Sequence, residues 1–170
     1  MTGAMAAEGV ERARLAELYV AYAPAGIRLA FLLTGDRALA EDLVQDAFVR
    51  LVGRLQHLRE PHAFWTYLRR TIVNLATSHF RHRRVERAYV ERLAAAPSSV
   101  ANANDELDAT MHRVLLGLPQ RQRAVIVLRF YEDLSDVQTA AVLGCSPGTV
   151  RSLVSRGMKT LREGLEGMPR

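Results

Sequence analysis

The chain is short of cysteine, of metal-ligand clusters and of long apolar runs, and each shortage removes a class of protein. A single cysteine, Cys145, in 170 residues excludes an internal disulfide and a zinc site built from several thiolates, and it fits a reducing compartment. Cys145 falls in a turn between two helical patterns, where a small buried thiol is expected. His79 and His82 lie three apart, but no carboxylate or cysteine completes a ligand set, so no metal site is expected. No stretch reads as the roughly 18 consecutive apolar residues of a membrane span, and no basic segment followed by an apolar core opens the chain. A cytoplasmic protein without membrane insertion is therefore expected. Strand-like alternation never persists and no internal repeat is visible, which points away from sheets and solenoids.

What is present suits a folded helical protein with an acidic partner. Apolar residues make up 49% of the chain, enough for a core in one domain or two small ones. The formal net charge is +5, and what matters is where the cations gather. The residues Met1 to Gly9 are small and weakly polar, and read as a frayed leader. From Val10 to Leu33 apolar residues recur at helical spacing, with Pro24 expected to start or kink a helix. Asp36 is a candidate cap for a helix from Arg37 to about Leu55, with Leu43, Val44, Ala47, Phe48, Leu51, Val52 and Leu55 as its buried stripe. Glu41, Asp42, Gln45 and Asp46 share its outer side. Acids near a helix start are favoured by the macrodipole, and the same cluster in a basic protein suits docking on a basic protein surface; both readings stand.

A polar loop, Gln56 to Ala63, precedes a third helix expected from about Phe64. Leu68, Ile72, Leu75 and Ala76 point to the core, while Arg69, Arg70, Asn74, Ser78, Arg81, Arg83, Arg84 and Arg87 supply polar faces. Four arginines lie between Arg81 and Arg87, and that density repels itself unless counterions or phosphates neutralise it. With Phe64, Trp65, Tyr67 and Phe80 interspersed, single-stranded nucleic acid with stacked bases is a candidate ligand. Composition then shifts: AAAPSSVANAN, Ala94 to Asn104, has the character of a flexible linker. An all-α fold follows, with two small helical domains at 10–92 and 106–166 and a linker at 93–105. Beyond the linker, helices are expected from Asp105 to Leu118 and from about Gln120 to Phe130.

The stretch from Leu134 to Leu161 carries the sharpest pattern. Ser135 and Gln138 form a capping box that starts a helix running to about Leu143. Gly144 breaks it, Ser146 is an N-cap candidate, and Pro147 takes the first position of a second helix. Val150, Leu153, Val154, Met158 and Leu161 fall on one arc of that helix. Thr149, Arg151, Ser152, Ser155, Arg156 and Lys159 fill the other, which contains no acid. Hydroxyls and cations without a carboxylate suggest a polyanion against this face, as in a helix-turn-helix with its second helix in a DNA groove.

Taken in order, AEDLVQDAFVRL (Ala40 to Leu51), YLRRTIVNLATSHFRHRR (Tyr67 to Arg84) and the segment from Leu118 to Arg162 resemble regions 2.2, 2.3–2.4 and 4 of extracytoplasmic-function (ECF) RNA polymerase sigma factors. The resemblance implies a transcription initiation factor with no catalytic site or cofactor of its own, hence not an enzyme. It implies a sigma region 2 domain at 10–92 and a sigma region 4 domain at 106–166. Glu41, Asp42, Gln45 and Asp46 would meet the β′ clamp helices of core polymerase, with the β flap as a further contact. Arg70, Asn74, Ser78, Arg81, Arg83, Arg84 and His62 would engage the −10 element, and Thr149, Arg151, Ser152, Ser155, Arg156 and Lys159 the −35 element. An anti-sigma factor is implied as a regulatory partner. The chain departs from the family at Tyr67, which replaces a tryptophan, at Ser78, which replaces an aspartate, and at Gln138-Thr139-Ala140, which replaces Glu-Ile-Ala. Two other readings are a stand-alone dimeric helix-turn-helix regulator on a palindrome and a serine recombinase; for the latter, the N-terminal half offers no strand-borne nucleophile.

Overall fold

Short helix-terminating signals between apolar stripes dictate the architecture. The computed structural model describes residues 2–53, 61–90 and 106–166, and every regular element among them is a helix. The first, α1 (Thr2–Thr34), runs through Pro24 without stopping. It starts at Thr2, so the segment expected as a frayed leader is helical. Gly35, at φ +74°, ends it in a left-handed conformation that glycine adopts without steric cost, and its N–H bonds the Phe31 carbonyl at 2.8 Å. Asp36 then caps α2 (Arg37–Val52), accepting from the Leu39 N–H at 3.0 Å. The helix stops at Val52, which is 43% exposed and not part of the buried stripe; Leu55 lies outside the described residues.

The third helix, α3 (Pro61–Val90), begins three residues before Phe64. Proline suits a first helical position, where no N–H is needed, and His62 consequently sits in the first helical turn and not in a loop. Leu29, Ala30 and Leu33 of α1, Ala40, Val44 and Phe48 of α2, and Phe64, Leu68 and Ile72 of α3 interlock as a core that excludes solvent. Phe64 belongs to this core and is closed to bases. The Arg12–Thr34 part of α1 is, against the sequence expectation, long and apolar enough to count as a membrane span by length and composition. Its Ala23, Leu29, Ala30 and Leu33 pack in the apolar core with α2 and α3.

The C-terminal unit follows with α4 (Glu106–Gly117) and α5 (Gln120–Ile126). A single π-type turn, Val127–Tyr131, continues α5, where an unbroken α-helix to Phe130 was expected. Then come α6 (Asp136–Leu143) and α7 (Pro147–Glu166). Their termini follow the sequence closely. Ser135 and Gln138 form the reciprocal capping box, at 3.2 and 2.8 Å. Gly144 is left-handed at φ +64°, and the Ser146 hydroxyl accepts from the Thr149 N–H at 3.1 Å. Cys145 is half-buried against the small cluster of Val125, Ala140 and Val150.

The linker expected at 93–105 lies within residues not described, yet one apolar cluster runs through both units, from Leu33 and Val73 to Leu118, Leu128 and Leu134. Arginines tie the seam. Arg123 is 9% exposed. It donates to the carbonyls of Leu33 at 2.7 Å, Leu116 at 2.7 Å and Leu118 at 3.0 Å, gathering carbonyls that end two different helices. Arg69, expected on a polar face, is instead buried and pairs with Glu132 at 3.0 Å. Arg28 adds a contact to the Tyr131 hydroxyl at 3.3 Å. His112 reaches the Phe31 carbonyl at 3.4 Å and packs on the Phe31 ring. Burial draws its pKa below the ordinary 6.5, with the Arg123 charge acting in the same sense and the Phe31 carbonyl opposing.

Candidate nucleic-acid interface

Three helix surfaces hold the residues singled out by sequence. On α7, the apolar arc seats the helix: Val150 and Leu161 are buried, and Leu153, Val154 and Met158 are half-buried. Gly157 lies against Ile126, where an added Cβ would come within 3.1 Å of its side chain. That anchoring turns Arg151, Ser152, Ser155, Arg156 and Lys159 outward, all exposed. Thr149 differs: it is half-buried, and its hydroxyl is within 2.9 Å of the Ser146 hydroxyl. Its first role is local, closing the turn that sets the entry angle of α7.

The face of α7 is acid-free in sequence but not in space. Asp136, in the first turn of α6, places one carboxylate oxygen 2.9 Å from Arg129 Nε and the other 3.7 Å from an Arg151 terminal nitrogen. Lys159 has Glu163 one turn further on, at 3.9 Å. The carboxylate's position in the first turn of α6 was visible as a dipole-favoured acid; its approach to α7 depends on the packing of the two helices.

On α3, Arg70, Asn74, Arg81 and Arg83 are exposed and Ser78 is half-buried. Arg81 contacts the Ser78 hydroxyl at 3.4 Å. Among the described residues, none of Arg70, Arg81 and Arg83 forms an ion pair. His62 is exposed at the start of the same helix, and Tyr67 is 43% exposed. The side chain of Arg84 and those that follow it, with residues 54–60 of the preceding loop, lie outside the described residues. Trp65 is half-buried, parallel to the Tyr22 ring and beneath the Arg69 guanidinium, and Phe80 lies under Arg123. Both aromatics are thus engaged in packing, which leaves Tyr67 as the exposed ring of the set.

On α2, Asp42, Gln45 and Asp46 are exposed and Glu41 is partly so. Arg37 pairs with Glu41 at 3.1 Å and Arg50 with Asp46 at 3.2 Å. Exposed pairs of this kind contribute little to stability, so a basic partner can displace the arginines at small cost. Asp42 has no cation partner among the described residues.

The segments of the chain that carry these helices match known families in the same order. Residues 18–86 fit the family model for sigma-70 region 2, and residues 109–161 that for sigma-70 region 4. The chain is 37% identical over 139 residues to the RNA polymerase sigma-E factor of Streptomyces coelicolor, spanning 82% of this chain and 78% of that one. It is 35% identical to the ECF RNA polymerase sigma factor SigE of Mycolicibacterium smegmatis over 86% of this chain and 60% of that one. Among solved structures it is similar to the sigma factor RpoE of Bartonella quintana, in complex with the anti-sigma factor NepR. That match has a TM-score of 0.72 and 25% identity, and covers 89% of this chain and 96% of the other. CnrH in complex with the cytosolic domain of CnrY is similar at a TM-score of 0.64 and 26% identity, covering 98% and 96%.

Proposed function

This chain belongs to the ECF sigma factors of RNA polymerase, and on that premise we propose how its surfaces divide the work of starting transcription. It is a promoter-recognising initiation factor whose partners are core RNA polymerase and promoter DNA. Its family does not favour the stand-alone dimeric regulator. The N-terminal domain, 10–92, docks on polymerase and handles the −10 element; the linker, 93–105, joins it to the C-terminal domain, 106–166, which reads the −35 element.

The observation that carries this division is that two outward basic helix faces, on α3 and α7, stand on different units of one chain, with an acidic face on α2. The α7 face, Thr149 to Lys159, holds upstream duplex through phosphates and base edges in the major groove. Arg70, Arg81, Arg83 and Arg84 of α3 hold backbone phosphate where strands part. Asn74, Ser78 and His62 supply hydrogen-bonding groups to unpaired bases, whose extrusion is favoured when new contacts offset lost stacking. Asp42, Gln45 and Asp46, with Glu41, meet a basic polymerase surface, taken by resemblance to be the β′ clamp helices, and the C-terminal domain meets the β flap. The chain supplies binding and placement; polymerase forms the phosphodiester bonds. No cofactor is assigned.

A similar sigma factor has been captured with the anti-sigma factor NepR, and a partner of that kind covering these faces is part of this reading. So is a cytoplasmic location without membrane insertion. The test is run-off transcription with purified core polymerase on a pool of genomic promoter fragments, with and without the chain. Specific transcripts that require it are expected. Their absence, together with dimeric binding to palindromic duplex in the absence of polymerase, would overturn the assignment.

A further inference from the structure

The acid-free recognition face acquires one carboxylate from outside its own helix, and that contact is where the structure adds most to the sequence. Asp136 is fixed from behind. Its helix start favours an anion, and Arg129, which also donates to the Leu134 carbonyl, grips one oxygen at 2.9 Å. The second oxygen is turned toward Arg151, whose side chain is 66% exposed against 28% for Asp136. At 3.7 Å the two attract but lie beyond ordinary hydrogen-bond reach. Arg151 thus keeps its donors available while its charge is partly countered and its direction biased. An ion pair this exposed adds little to folding. Its consequence falls on binding.

We propose that Asp136 is a specificity-determining positioning residue: it orients Arg151 toward base edges and weakens the attraction of Arg151 for phosphate in general. The proposal rests on the assignment of α7 to the −35 element. A free arginine is drawn to any phosphate, an attraction that carries no sequence information. An arginine held beside a carboxylate gains less from a lone phosphate, and gains fully from a base that presents two acceptors, as guanine does through O6 and N7. The fixed carboxylate therefore trades overall affinity for discrimination. Asp136 contacts no DNA in this scheme and acts through Arg151.

The experiment uses holoenzyme assembled from core polymerase and the full chain, on a promoter that the wild-type holoenzyme transcribes and on a series of single base-pair substitutions across its −35 element. The readout is the ratio of cognate to substituted transcript, together with the salt dependence of promoter binding. Asp136→Asn is expected to lower that ratio about fivefold at one or two adjacent positions. It should also raise binding to substituted promoters, and steepen the salt dependence there by about one phosphate contact. In an Arg151→Ala background, Asp136→Asn should change neither quantity. An Asp136→Asn effect that persists without Arg151 would mean the carboxylate acts through Arg129 on the fold, and overturns the proposal. So does a variant that discriminates as well as wild type. Wild-type holoenzyme that transcribes yet ignores every −35 substitution overturns the α7 assignment and this proposal together.

Discussion

The N-terminal unit is made of helices of 33, 16 and 30 residues that bury continuous apolar stripes, whereas α4, α5 and α6 span 12, 7 and 8 residues. Every helix leaves four N–H and four C=O groups unpaired within itself. For an eight-residue helix those ends are most of the structure. The C-terminal unit accordingly relies on polar anchors: the Ser135–Gln138 capping box, left-handed Gly144, and Arg123 collecting carbonyls. The two basic faces differ in the same direction. The exposed arginines of α3, Arg70, Arg81 and Arg83, form no ion pair among the described residues, while on α7 Arg151 has Asp136 and Lys159 has Glu163. Generic strand holding tolerates the first arrangement, and reading one duplex sequence against many benefits from the second.

The sharpest break in this comparison comes at Arg123. Arg123→Ala strands two buried carbonyls and one part-buried one, and is expected to cost about 3 kcal/mol in urea unfolding. Arg50→Ala, which removes an exposed pair in the N-terminal unit, should cost less than about 0.5 kcal/mol. Equal losses would show that the units do not differ in their dependence on polar anchors. Next in size, Arg151→Ala should reduce transcription about tenfold on a cognate −35 promoter and much less on −35-substituted ones. Arg81→Ala should reduce promoter binding by a few fold on all of them, with a shallower salt dependence. Matching profiles from the two variants would erase the distinction between the basic faces.

Ser135→Ala is expected to cost about 1 kcal/mol by thermal or urea unfolding. Adding Gln138→Ala should cost less than the sum of the single changes, because the two residues share one cap. Strict additivity would mean that the box does not act as a unit. The smallest effect is that of pH. His112 has its pKa lowered in the folded chain, so the unfolded chain binds the extra proton more readily. Stability is then complete above the ordinary value of 6.5 and falls as pH drops from there through the lowered folded pKa. His112→Gln should flatten that slope, measured as unfolding midpoints between pH 5 and 7 (about the histidine range). An unchanged slope would place the titrating group elsewhere.

Much of this was legible along the chain because its causes are local. Asp36, the Ser135–Gln138 box, Gly144, Ser146 and Pro147 act within four residues of themselves, and each appears where the spacing predicts it. The exposure of Asp42, Asp46, Asn74 and the outward arc of α7 follows from helical periodicity once the apolar arc is known. The structure departs from the expected helix bounds at three places. α1 extends back to Thr2, Pro61 starts α3 ahead of Phe64, and Phe130 ends in a π-type turn and not in a regular helix.

By itself the sequence determined the helices, their caps, the acidic face of α2 and the two basic faces, because neighbours three and four residues apart decide each of these. Only the tertiary structure decided which charges meet. Arg69 and Glu132 are 63 residues apart, Arg123 and the Leu33 carbonyl 90 apart, and Asp136 reaches Arg151 across two helices. A charge has no preferred partner in an unfolded chain surrounded by water. It acquires one when packing of the apolar stripes brings a remote group within a few ångströms and excludes the solvent between them.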